Sequence, residues 1–206
     1  MTTLPVLVDR GAPIDEIAAF LDGLEHPDRV LACESLAAGQ LRKLYERAAS
    51  SRPLTRADLV PDGIGARDPV YHHGWNSLPV PTFARRFGKP MCGMAGTDEL
   101  GGWNHNTVWV NRLVGPGFFV CRATESEHVD RGAWVVDYLR VPTERVAAGW
   151  PPVVSTSFGF RPQRLVYGGT RDYLRRVSEH VSIGIPYKGA IRLPFAFTLV
   201  RAPRRT

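Results

Sequence analysis

The sequence predicts an α+β protein with N-terminal helices packed on a mainly antiparallel curved sheet or partly closed β-barrel. Three observations carry this. Apolar residues recur at helical spacing through the first 60 residues. From Val70 onward the pattern changes to short alternating runs broken by glycine and proline. No long helical crossover separates those runs, so neighbouring strands should run antiparallel. A chain of 206 residues suits one continuous unit, with a helical segment over 1–60 and a β-rich part over 61–206.

The first predicted helix places Ile14, Ile17, Leu21 and Leu24 on one stripe behind Pro13, with its end blurred by Gly23 and Pro27. Ser35 is positioned to cap a second, with Leu41, Leu44, Tyr45 and Ala48 as its apolar face. Thr55 to Val60 suits one further turn, and the glycines and prolines of 61–69 make a linker. Strands are expected over 107–114 and 118–124 around Gly115-Pro116-Gly117, over 133–141, over 164–167 and over 191–199. In the last, Pro194 implies an edge or a bulge. The segment 170–180 has a helical stripe of Tyr173, Leu174 and Val177 behind a capping Thr170.

Composition excludes several classes. No apolar run reaches the roughly 18 residues of a membrane helix, and no charged, apolar leader opens the chain. Three cysteines, Cys33, Cys92 and Cys121, at irregular spacing read as reduced thiols of a cytoplasmic protein. The net charge of +6 is unevenly placed: residues 1–60 carry nine acids and seven bases, residues 151–206 two acids and ten bases. Arginine outnumbers lysine 23 to three, a bias that a GC-rich genome explains. The basic C-terminal quarter carries no nucleic-acid signature, so nucleic acid and membrane are not expected partners. The oligomeric state is left open.

The most informative stretch runs from Val70 to Asn111. It holds Gly-Trp-Asn twice, at Gly74-Trp75-Asn76 and Gly102-Trp103-Asn104, each beside histidine. Such residues suit a pocket for a small molecule. Trp75, Asn76, Trp103, Asn104 and Asn111 are the candidate substrate-binding residues. His72, His73, His105 and Asp137 are the candidate acid–base residues. On a strand, His72 and His73 point to opposite faces. Asp137 shares a face with Val135, Leu139 and Val141, so it should be buried, with a histidine or, more simply, an arginine as its partner. The histidine spacing matches no zinc site, so neither metal nor cofactor is expected. Cys92, in a glycine-rich loop suited to a lid, is a minor candidate nucleophile. The expected function is binding of an apolar or conjugated metabolite, with His/Asp proton transfer in a cyclisation, isomerisation or hydrolysis. The alternatives are nucleic-acid binding through the C-terminal arginines and a non-catalytic interaction module that docks a partner on its helices.

Overall fold

A computed structural model describes residues 2–65, 67–105, 115–143, 146–154 and 167–203. Five α-helices come first among these residues: α1 (Leu4–Asp9), α2 (Ile14–Asp22), α3 (His26–Glu34), α4 (Ala38–Arg47) and α5 (Arg56–Leu59). Pro27 opens α3 rather than ending α2, because a proline in the first helical turn forfeits no helical hydrogen bond. Ser35 closes α3, and α4 starts at Ala38, where Gln40 reaches back to the Ala37 amide. The turn expected after Thr55 is α5. Asp58 accepts hydrogen bonds from the Thr55 amide and hydroxyl at 2.8 Å each.

The strands are β1 (His72–Asn76), β2 (Arg86–Gly88), β3 (Met91–Gly93), β4 (Leu100–Asn104), β5 (Gly117–Ala123), β6 (Trp134–Asp137), β7 (Thr170–Arg176), β8 (Val181–Lys188), β9 (Ile191–Arg192) and β10 (Phe197–Arg201). They form one antiparallel sheet in the order β2-β1-β10-β8-β7-β6-β5-β4-β3, with β9 paired to β8. β2 and β3 lie at opposite ends of that order, yet only Lys89 and Pro90 separate them in the chain. Three Cα steps span at most about 11 Å. The sheet must therefore curl until its two ends come near each other, and the result is a half-barrel. Bridges Val70–Met91 and Gly88–His105 tie the ends together.

One sheet face looks inward. Leu100, Phe119, Cys121, Val136, Leu174 and Leu199 pack there as an interior core joined by Leu54, Leu59 and Val60. Along β8, β10 and β1 the other face is covered by the helices. Ile17, Leu21, Leu41 and Leu44 meet Val181, Ile183, Val200 and Trp75 in a second core shared by helices and sheet.

The segment over 170–180 is a strand followed by a turn, not a helix. Tyr173 and Leu174 are both buried, on opposite faces of the central strand β7 between β6 and β8. Pairing with two neighbours outweighs a short helical stripe that would have bonded only to itself. The strand expected over 133–141 stops at Asp137, whose carboxylate accepts the Leu139 amide at 3.0 Å and turns the chain. Leu139 is consequently exposed. The run over 191–199 splits into β9 and β10 around Pro194, which has no amide to give to a ladder. The glycine-rich stretch expected as a lid is the β3–β4 hairpin. The strands expected over 107–114 and 164–167 fall wholly or mostly outside the described residues.

The Gly-Trp-Asn repeat has a structural basis. Gly74 stands directly opposite Phe87, and Gly102 directly opposite Phe119. A Cβ on either glycine would lie 2.4 Å from the facing ring. Gly184 and Phe197 repeat the arrangement, again with 2.4 Å. A ring lying over a cross-strand glycine recovers the apolar contact that glycine lacks.

Candidate functional site

Phe87, Phe119 and Phe197, laid down over their glycines, surround one ammonium. Lys89 Nζ lies 5.9, 5.1 and 4.8 Å from these ring centres and 5.0 Å from that of Tyr138. Lys89 is 1 % exposed. It donates to the Tyr138 hydroxyl at 2.7 Å and to Asp172 Oδ2 at 2.9 Å. Asn104 also acts on the Tyr138 hydroxyl, and Tyr138 stacks on Tyr167 at 5.1 Å. Burial and the Asp172 charge push the Tyr138 hydroxyl well above its ordinary range. Asn104 thus serves the interior. So does His72, which is 1 % exposed, with Nδ1 placed 3.0 Å from the Lys89 carbonyl oxygen. Burial holds the His72 ring neutral, its pKa lowered to about 4.

Trp75 and Asn76 also have structural roles. Trp75 is buried under the helices and donates Nε1 to the Leu36 carbonyl at 3.1 Å. Asn76 donates to the Arg85 carbonyl and accepts the Leu78 amide, both at 2.9 Å, which fixes the turn after β1. Asn111 lies outside the described residues.

Asp137 is fully buried, on the face opposite the Lys89 interior. Its carboxylate is bound by Arg122 at 2.9 Å and by Arg171 at 3.2 Å. Its charged partners are therefore arginines, and among the described residues no histidine approaches it. Cys92 is fully buried in β3, and burial pushes its thiol up to about 12, where no thiolate is present at neutral pH.

The remaining candidates do converge. His73, Trp103 and His105 line an open cleft of about 1200 Å³, together with Tyr71, His26 and His180. The strand alternation that buries His72 turns His73 out into this cleft. A continuous run of rings crosses its wall. Trp103 and His105 stand 5.2 Å apart between centres, His105 and Tyr71 6.5 Å, Tyr71 and His73 4.9 Å, and His73 and His26 5.1 Å. The bridge between Gly88 and His105 brings His105 to Tyr71, whose hydroxyl faces His105 Nδ1 at 3.4 Å. Four of the six histidines of the chain border this one space.

Burial lowers the pKa of His26, His73 and His180. Neighbouring positive charge acts the same way on His26 and His180, while Glu34 opposes it at His73. These three rings are therefore largely neutral at pH 7, each with one donor and one acceptor nitrogen. The Trp103 indole Nε1 and His26 Nδ1 are buried without a hydrogen-bond partner. Among the described residues, no group of three or more His, Cys, Asp or Glu side chains is arranged to hold a metal ion.

His26, Tyr71, His180 and Arg201 escaped the reading of the sequence. They come from α3, the approach to β1, the β7–β8 turn and β10, and no local spacing links them. No protein-family model matches the chain, and no curated protein or solved structure matches it either.

Proposed function

We propose that the cleft binds a small planar, apolar or conjugated molecule, and that its imidazoles exchange protons with that ligand. The run from Trp103 through His105, Tyr71 and His73 to His26 carries this reading. Rings of this kind offer flat apolar surface, and neutral imidazoles supply acceptor and donor nitrogens at its edge. Tyr71 and His105 form the natural proton-transfer pair. Burial keeps the Tyr71 phenol protonated; a phenol can give a proton and an imidazole nitrogen can accept one, and contacts of this kind tighten when substrate arrives. Asp137, bound by two arginines, takes no part.

The nucleic-acid alternative has less support. Arg171, Arg175, Arg176 and Arg192, from the basic C-terminal quarter, all face carboxylates within the protein, which leaves less free charge for phosphates.

The test is titration with neutral planar compounds, benzamide and quinoline among them. Trp103 fluorescence and histidine ring signals in NMR are followed. Binding that shifts His73 and His105 and is lost in Trp103→Ala is the expected outcome. Probes that leave these signals unmoved, or that bind Trp103→Ala equally well, refute the assignment. Loss of turnover in Tyr71→Phe and His105→Gln, with binding retained, would identify the proton-transfer pair.

A further inference from the structure

Two arginines approach the His26–His180 end of the cleft. Arg29 is 6 % exposed and donates to the carbonyl oxygens of Leu21 and Leu24 at 2.8 and 2.5 Å. Arg201 donates to those of Ala57 and Asp58, both at 2.9 Å, and to His180 Nδ1 at 3.1 Å. Among the described residues neither guanidinium has a carboxylate within 4.0 Å. Their hydrogen bonds are satisfied, but their charge is not neutralised. That is costly for Arg29, which is the one of the two withdrawn from water.

The carboxylates around this end are mostly committed. Glu34, which acts on His73, is held by the Arg86 fork at 2.7 and 2.6 Å. Asp58, which acts on Arg201, is held by Arg52 at 2.8 and 2.6 Å. Asp22 accepts the Glu179 amide, and Glu179 faces His180 Nε2 at 4.0 Å from an exposed position. Asp62 and Asp68 also line the cleft. His26, His73 and His180 surround the same end, and the buried His26 Nδ1 lacks a partner.

We propose that this end of the cleft receives an oxyanion, a carboxylate or phosphate monoester carried by the planar ligand, and that a proton is taken up with it. The proposal rests on the cleft being the ligand site and names the class of ligand. An anion there favours the charged forms of His26 and His73, which burial opposes at both and positive neighbours oppose at His26. Linkage then requires tighter anion binding as pH falls through the range in which these rings titrate.

Benzoate, phenyl phosphate and neutral benzamide separate the outcomes. Each is titrated into the intact chain at about pH 8 and about pH 6, a range in which histidine charge changes and benzoate keeps its own charge. At least one anion should bind about tenfold or more tighter than benzamide, a difference of about 1.4 kcal/mol. It should shift the ring signals of His26, His73 and His180. The benzoate affinity should rise at the lower pH, and His26→Gln should weaken both the affinity and its pH dependence. The tighter of the two anions distinguishes carboxylate from phosphate. If benzamide binds as well as the anions while moving Trp103 and His105, the oxyanion proposal falls and the cleft assignment stands. If no probe moves any cleft signal, both fall. A His26→Gln protein with unchanged benzoate affinity and pH dependence also overturns the proposal.

Discussion

Phe119 lies over Gly102, its directly opposed partner on the neighbouring strand, in the space that a Cβ would otherwise fill. The same ring stands 5.1 Å from Lys89 Nζ. The glycine of the second Gly-Trp-Asn triplet thereby helps to shape the interior around a buried charge. Gly102→Ala tests this through the sign of its effect. Alanine at an unconstrained strand position should stabilise by about 0.5–1 kcal/mol. Here the added methyl meets the Phe119 ring at 2.4 Å and the Pro90 carbonyl oxygen at 2.8 Å. The expected change is a loss of about 1–3 kcal/mol, read from denaturant midpoints. A gain would show that the ring can move away at little cost.

Lys89 and Asp172 should be strongly coupled. Removing one partner leaves an uncompensated charge in the interior, so Lys89→Met and Asp172→Leu should each cost roughly 3–5 kcal/mol. The double change Lys89→Met with Asp172→Leu should recover much of that loss. Lys89→Arg should not substitute, because a planar fork does not fit a site shaped around a point charge. Equal and additive losses in the two single variants and their double would refute the coupling.

Asp137→Asn should lower the melting temperature and leave ligand binding in the cleft unchanged, since Arg122 and Arg171 are its charged partners. Thermal unfolding and probe titration of the same sample decide between this and a functional role. A loss of binding at unchanged stability would return Asp137 to the site.

Stability should fall on the acid side of neutrality. His72 titrates at about 4 in the folded chain against an ordinary 6.5. The unfolded chain therefore binds the proton first. The stabilisation is complete above about pH 6.5, is lost as pH falls towards about 4, and changes no further below that. The loss is on the order of 3 kcal/mol for this group. The shifts of His26, His73 and His180 have the same sign. Urea midpoints across this range should show the slope, and His72→Gln should reduce it. A flat profile in the unmodified chain would contradict the buried neutral ring.

The cysteines should be silent in the native state. Burial raises the thiols of Cys33, Cys92 and Cys121 each to about 12. Alkylation at neutral pH should therefore follow unfolding rather than precede it. Rapid labelling of Cys92 in the folded protein would revive it as a nucleophile.

The sequence by itself determined the class of fold, because amphipathic period and turn chemistry are local. The stripe from Ile14 to Leu21, the turn after Thr55 and the opposed faces of His72 and His73 are each set by residues a few positions apart. Alternation likewise placed Asp137 at a buried position and left an arginine as its simplest partner. Closure of the sheet, the paths of β7 and β10 and the composition of the cleft were settled only by tertiary structure. Lys89 and Pro90 join the two ends of the strand order, a fact invisible until the order is known. Register decides that Gly74 and Gly102 face phenylalanines. The repeated triplet therefore marks a packing device at its glycines, while among its polar and aromatic residues only Trp103 reaches the cleft. His26, Tyr71, His180 and Arg201 meet because four separate elements converge beside the seam where the sheet closes. Contacts between residues so distant in the chain leave no spacing to read.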